Sequence, residues 1–133
     1  MVFTFNKPLI TVGGVSITDG TGSVASNYTD PTDAHNYIVN LAEVTNAQYV
    51  RVELNSISES VANVSNAVSV YMGVLLGDVN STGRTDAGDV TAVRNHTVSV
   101  PDQLSFRYDV NASGRIDAGD VTTTRNATVT VLP

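Results

Sequence analysis

The stretch Asp78-Val79-Asn80-Ser81-Thr82-Gly83-Arg84-Thr85-Asp86-Ala87-Gly88-Asp89 returns 31 residues later as Asp109-Val110-Asn111-Ala112-Ser113-Gly114-Arg115-Ile116-Asp117-Ala118-Gly119-Asp120. Over 23 aligned positions, 78–100 against 109–131, 16 residues are identical. Each copy places an oxygen-bearing side chain at loop positions 1, 3, 5, 9 and 12 and a glycine at 6. Asp, Asn and Gly favour turns in any context, so one copy alone leaves an Asx-rich turn as the lesser alternative. Two copies that agree at every oxygen position point instead to a ligand shell.

A hard divalent cation takes six to eight oxygens, and this spacing is that of a twelve-residue calcium loop. The first loop offers Asp78, Asn80, Thr82, the Arg84 carbonyl, Asp86 and Asp89. The second offers Asp109, Asn111, Ser113, the Arg115 carbonyl, Asp117 and Asp120. Two calcium ions are expected. Position 12 is Asp rather than the longer Glu of an EF-hand, which brings the exiting helix nearer the ion.

The pair resembles a type I dockerin, the calcium-binding docking module of cellulosome enzymes, over residues 77–133. Dockerins carry two such loops, Asp at position 12 and only the exiting helix of each EF-hand. Here too Gly77-Asp78-Val79-Asn80 enters the first loop straight from an apolar run. The resemblance implies docking on a cohesin-like β-sandwich partner. Loop positions 10 and 11 often hold a Ser-Thr recognition pair in cellulosomal dockerins; here they are Ala87-Gly88 and Ala118-Gly119. Positions 17 and 18, Arg94-Asn95 and Arg125-Asn126, are placed to contact a partner. The repeated arginines have a second reading, a structural salt bridge to a nearby loop acid.

The 133 residues divide on this basis into 1–76 and 77–133. Residues 1–76 carry six acids and two bases, a net −4, and residues 77–133 seven acids and five arginines, a net −2. Two bound calcium ions would change the second half to +2, so the halves would attract within or between chains. A single lysine and no basic stripe argue against a nucleic-acid partner. With no cysteine, disulfides and thiolate-bound zinc are excluded. No apolar run is long enough to span a membrane. Loops of this kind fill where calcium is millimolar, which points to an extracellular or cell-surface setting; the resemblance implies a secreted bacterial protein.

Residues 1–76 read as short strands over 2–5, 9–12, 15–18, 23–26, 35–41, 48–54 and 66–74, with polar loops over 28–34 and 56–66. Tyr37, Val39 and Leu41 share one face, as do Val50, Val52 and Leu54; Val68, Val70 and Met72 are expected to point inward as well. The run is similar to a bacterial immunoglobulin-like module. The expected fold is therefore mainly β with a small α part: an immunoglobulin-like β-sandwich followed by a dockerin-like pair of loop–helix repeats. Short helices are expected over 87–95 and 118–126, because Thr and Asn are poor helix formers.

Each helix is followed by a β-branched tail, residues 96–100 and 127–132. The second tail, with Val129 and Val131, reads as a strand with no obvious partner inside its own domain. No catalytic constellation is evident. His35 and His96 are the only histidines and lie in different halves, and Asp30, Asp33 and His35 read as a loop-capping cluster.

These features favour a non-catalytic extracellular calcium-binding module for protein–protein assembly. Its partner would be a cohesin-like β-sandwich or another copy of itself. Two alternatives remain open at this point. One is a self-assembling fibre subunit in which strand exchange through Val129 and Val131 runs head to tail, stabilised by calcium. The other is the C-terminal piece of a secreted enzyme or adhesin.

Overall fold

Val50, Val52 and Leu54 alternate with polar residues and all three are fully buried in the structure, a computed structural model that describes residues 1–60 and 63–133. They lie on β5 (Gln48–Ser60), beside β2 (Gly14–Asp19) on one edge and β6 (Asn63–Val74) on the other. The pairing of β2 with β5 is antiparallel. A second sheet has the order β1 (Val2–Thr4), β4 (Asn36–Ala42), β3 (Ser23–Thr29), with both pairings antiparallel. Phe3 from β1 and Tyr37 and Val39 from β4 are buried. Each fully buried large apolar side chain contributes about 1.5–3 kcal/mol, so these alternating positions stabilise both sheets.

Several expectations for residues 1–76 need correction. Residues 9–12 form no strand; only an isolated bridge joins Thr11 to Ser58. β3 continues through Thr29, since Tyr28 and Thr29 pair with Ile38 and Tyr37, so the polar loop starts later than residue 28. The loop expected over 56–66 is strand on both flanks, and residues 61–62 of it lie outside the described residues. On β6, Val68 and Met72 are half-buried but Val70 is 42% exposed. β6 is an edge strand, and its side chains have a neighbouring strand on one side only.

The chain forms two compact units: residues 1–45 with 49–72, and residues 46–48 with 73–133. The second unit contains β7 (Arg84–Thr85), α1 (Ala87–Asn95), a 3₁₀ turn (Phe106–Tyr108), α2 (Ala118–Asn126) and β8 (Thr130–Val131). Among the described residues the chain is mainly β with two α-helices.

Both helices start at the same device. Asp86 is the extended N-cap of α1 and accepts the Gly88 N–H, while Asp89 three residues on accepts the Asp86 N–H. Asp117 and Asp120 repeat this at α2. Such a capping box satisfies N–H groups that a helix start leaves unpaired. With Gly, Thr and Asn in their sequences, the helices stop after nine residues each. They contact each other, and Val79, Val93 and Ile116 form a small core with Ala92, Tyr108, Val110 and Val121 packed around it. The Tyr108 ring also stacks on His96, with centroids 3.7 Å apart.

The tails do not dangle. β8 pairs antiparallel with β7, Arg84 opposite Val131 and Thr85 opposite Thr130. The first tail makes a bridge between Ser99 and Ile116. The expectation that the second tail has no partner in its own domain is therefore corrected: the position-8 segment of the first loop supplies one.

Candidate metal centres and docking face

In the first loop the Asp78 carboxylate accepts the Thr82 N–H at 3.0 Å and the Gly83 N–H at 2.8 Å. Asn80 Oδ1 accepts the same Thr82 N–H at 3.1 Å. Thr82 Oγ1 lies 3.3 Å from the Arg84 carbonyl oxygen. Asp89 Oδ1 accepts the N–H groups of Val79 and Asn80, and its Oδ2 that of Asp86. Gly83 holds the turn at φ +78, a conformation that side-chain-bearing residues avoid.

The second loop repeats this nearly atom for atom. Asp109 accepts from Ser113 and Gly114 at 2.9 Å each, and Asn111 Oδ1 from Ser113 at 3.0 Å. Ser113 Oγ lies 3.1 Å from the Arg115 carbonyl. Asp120 accepts from Asn111 and Asp117, and Gly114 takes φ +81.

In each loop the position-12 carboxylate, Asp89 or Asp120, is 0% exposed. No arginine or lysine pairs with either among the described residues. A buried charge without a counter-charge is costly, and each carboxylate oxygen keeps lone-pair capacity beyond the bonds it accepts. A cation among these all-oxygen donors would supply the missing charge, so the residues present fit calcium. Among the described residues no group of three or more His, Cys, Asp or Glu is placed to hold a metal. The donors of these loops are instead mixed, with an amide, a hydroxyl and a carbonyl beside the carboxylates, and Asp86 and Asp117 are turned to helix capping.

Position 11 plays a part that no local pattern announces. A Cβ on Gly119 would stand 2.9 Å from Asn111 Nδ2 and 3.0 Å from Asp117 Oδ1. On Gly88 it would stand 3.0 Å from Asp86 Oδ1. Glycine here lets the helix start press against the loop, which is a physical reason for the absence of a larger residue at that position.

Arg94 and Arg125 are exposed, and neither forms an ion pair with a loop acid among the described residues. The salt-bridge reading of these arginines is thus not what the structure shows. Both instead line each of two grooves, of about 530 and 500 Å³. One groove runs along Val90, Thr91 and the second tail; the other runs along Val121, Thr122 and the first tail. Asn95 and Asn126 are exposed at the helix ends. Val129 is 94% exposed and Val131 50%; Val98, which occupies the Val129 position in the first repeat, is 92% exposed. Both Val98 and Val129 have positive φ, 70° and 69°. Only their β-branched composition was legible beforehand.

In the first unit, Asp33 accepts the His35 N–H at 3.0 Å and lies 2.7 Å from His35 Nδ1. The backbone and side-chain hydrogen bonds from His35 hold the Asp33 carboxyl below the usual range. Asp30 is lowered in the same way by the Thr32 hydroxyl and N–H. Both aspartates act as turn caps.

Residues 76–127 match the family model of the dockerin type I domain. The match supports a type I dockerin domain in this stretch; domains of that family generally bind calcium and dock a protein partner, typically a cohesin. No curated protein and no solved structure matches the chain. No helix among the described residues is long and apolar enough to cross a membrane.

Proposed function

We propose that this chain is an extracellular, non-catalytic assembly module that binds two calcium ions and presents its helix–tail face to a protein partner. The observation that carries the reading is the pair of fully buried carboxylates, Asp89 and Asp120, which accept backbone N–H groups but have no cationic partner among the described residues, at matching places in two loops of one motif. The ligands are Asp78, Asn80, Thr82, the Arg84 carbonyl, Asp86 and Asp89, and their counterparts Asp109, Asn111, Ser113, the Arg115 carbonyl, Asp117 and Asp120. Ion binding neutralises the loops and holds the helix starts, which fixes Arg94, Asn95, Arg125 and Asn126 for contact. Val129 and Val131 add apolar area beside the arginines. Residues 1–76 form an immunoglobulin-like sandwich, residues 77–133 the docking domain, and a cohesin-like β-sandwich is the partner. The module would serve equally within a larger secreted enzyme or adhesin.

Self-assembly remains a second reading because β1, β3, β2 and β6 are edge strands of their sheets, and an unpaired edge accepts another strand. It requires β8 to leave β7. Light scattering with and without calcium, in the presence and absence of a cohesin-like β-sandwich, tests the proposal. A calcium-dependent one-to-one complex supports docking. Calcium-dependent growth of the chain by itself supports strand exchange. No change in mass under any condition contradicts both.

A further inference from the structure

Each repeat is closed by the tail of the other. The Val129 N–H donates to the Thr85 carbonyl and the Leu132 N–H to the Gly83 carbonyl, both at 3.0 Å. These tail residues follow α2, which starts from the second loop, yet they bind the first loop on both sides of Arg84. In reciprocal fashion the Val98 N–H donates to the Ile116 carbonyl at 2.8 Å, and the Ile116 N–H to the Ser99 carbonyl at 3.0 Å. Those tail residues follow α1, which starts from the first loop. The clasped segments contain or adjoin positions 7, Arg84 and Arg115, whose carbonyls are proposed ligands.

The clasps are held under strain. Val98 and Val129 are β-branched residues in the left-handed region, and their side chains are almost wholly exposed, so no burial offsets the cost. Such a conformation persists only where the surrounding structure over-determines it, and here it occurs at the same place in both repeats.

We infer that the two calcium sites are coupled through these crossed clasps. Calcium in one loop fixes its exiting helix, the helix delivers its tail to the opposite loop, and that loop is ordered before its own ion arrives. Because coupling is reciprocal, each site raises the affinity of the other. The inference rests on the proposed calcium binding.

Amide hydrogen exchange in millimolar calcium tests the crossing. Disabling the first loop with Asp78→Ala should strip protection from Val98 and Ile116, the clasp delivered by that loop's exiting helix, while Val129 and Leu132 keep theirs. Disabling the second with Asp109→Ala should give the opposite pattern. A gentler variant, Leu132→Pro, removes one clasp donor without altering any proposed ligand. It should weaken the first site roughly fivefold, the scale of one net hydrogen bond, and leave the intrinsic affinity of the second unchanged. Loss of protection only on the tail that follows the intact loop, or equal loss on both tails, would overturn the inference, as would unchanged calcium affinity in Leu132→Pro. Calcium titration of the unsubstituted chain reports separately on whether the loops bind the ion at all.

Discussion

The Asp86 main-chain N–H donates to the buried Asp89 carboxylate at 2.9 Å, joining loop positions 9 and 12 in a single capping box. Position 12 is thus both a proposed ligand and part of the helix start. Asp89→Ala should cost the first site far more calcium affinity than Thr82→Ala, because a water molecule can replace a neutral hydroxyl. In chelator Asp89→Ala should still destabilise by about 1 kcal/mol through the lost cap. Calorimetric titration and thermal melts measure the two effects separately.

The valines in the left-handed region make a second test. Val129→Gly removes strain worth about 1–2 kcal/mol and loses no buried area, offset in part by glycine's greater freedom in the unfolded chain. The melting temperature should stay level or rise, while partner affinity falls through loss of an exposed apolar contact. A lower melting temperature would show that the valine side chain supports the fold.

Glycine at position 11 separates the two loops. A methyl at Gly119 presses on Asn111, a proposed ligand, whereas at Gly88 the nearest Asn80 atom is 3.6 Å away. Gly119→Ala should therefore weaken the second site more than Gly88→Ala weakens the first, despite similar gains in helix propensity. Titration of each variant checks the difference.

Arg94 and Arg125 line both grooves without ion pairs among the described residues. The double variant Arg94→Ala, Arg125→Ala should change stability by no more than about 0.5 kcal/mol. It should weaken partner binding about tenfold or more, since exposed arginines are frequent hot spots. Equal affinity of variant and parent for the partner would remove these residues from the interface.

The repeat made the second unit legible before any coordinates. The helices begin inside the D-x-x-D pattern, directly after Asp86 and Asp117, and Val90 and Val93 are buried as their spacing implies. β5 was legible from Val50, Val52 and Leu54, because period-two alternation with one buried face has few other solutions. The crossed tails were not legible. Their β-branched composition indicates a strand, but the partner is a two-residue segment inside a loop, Arg84–Thr85, too short to carry a pattern. The position of Val70 was missed for a related reason: an edge strand obeys alternation only as far as its neighbours cover it. The close fit of Gly119 against Asn111 depends on three-dimensional approach, and no local signal records it.

Calcium titration of the full chain by isothermal calorimetry, after exhaustive chelation, tests the central claim most directly. The account predicts two ions per chain, with dissociation constants on the order of 10⁻³ M or tighter. It also predicts a rise in stability of about 2.7 kcal/mol per site when calcium is a hundredfold above the dissociation constant. Absence of binding, or one ion per chain with the second loop silent, would contradict it.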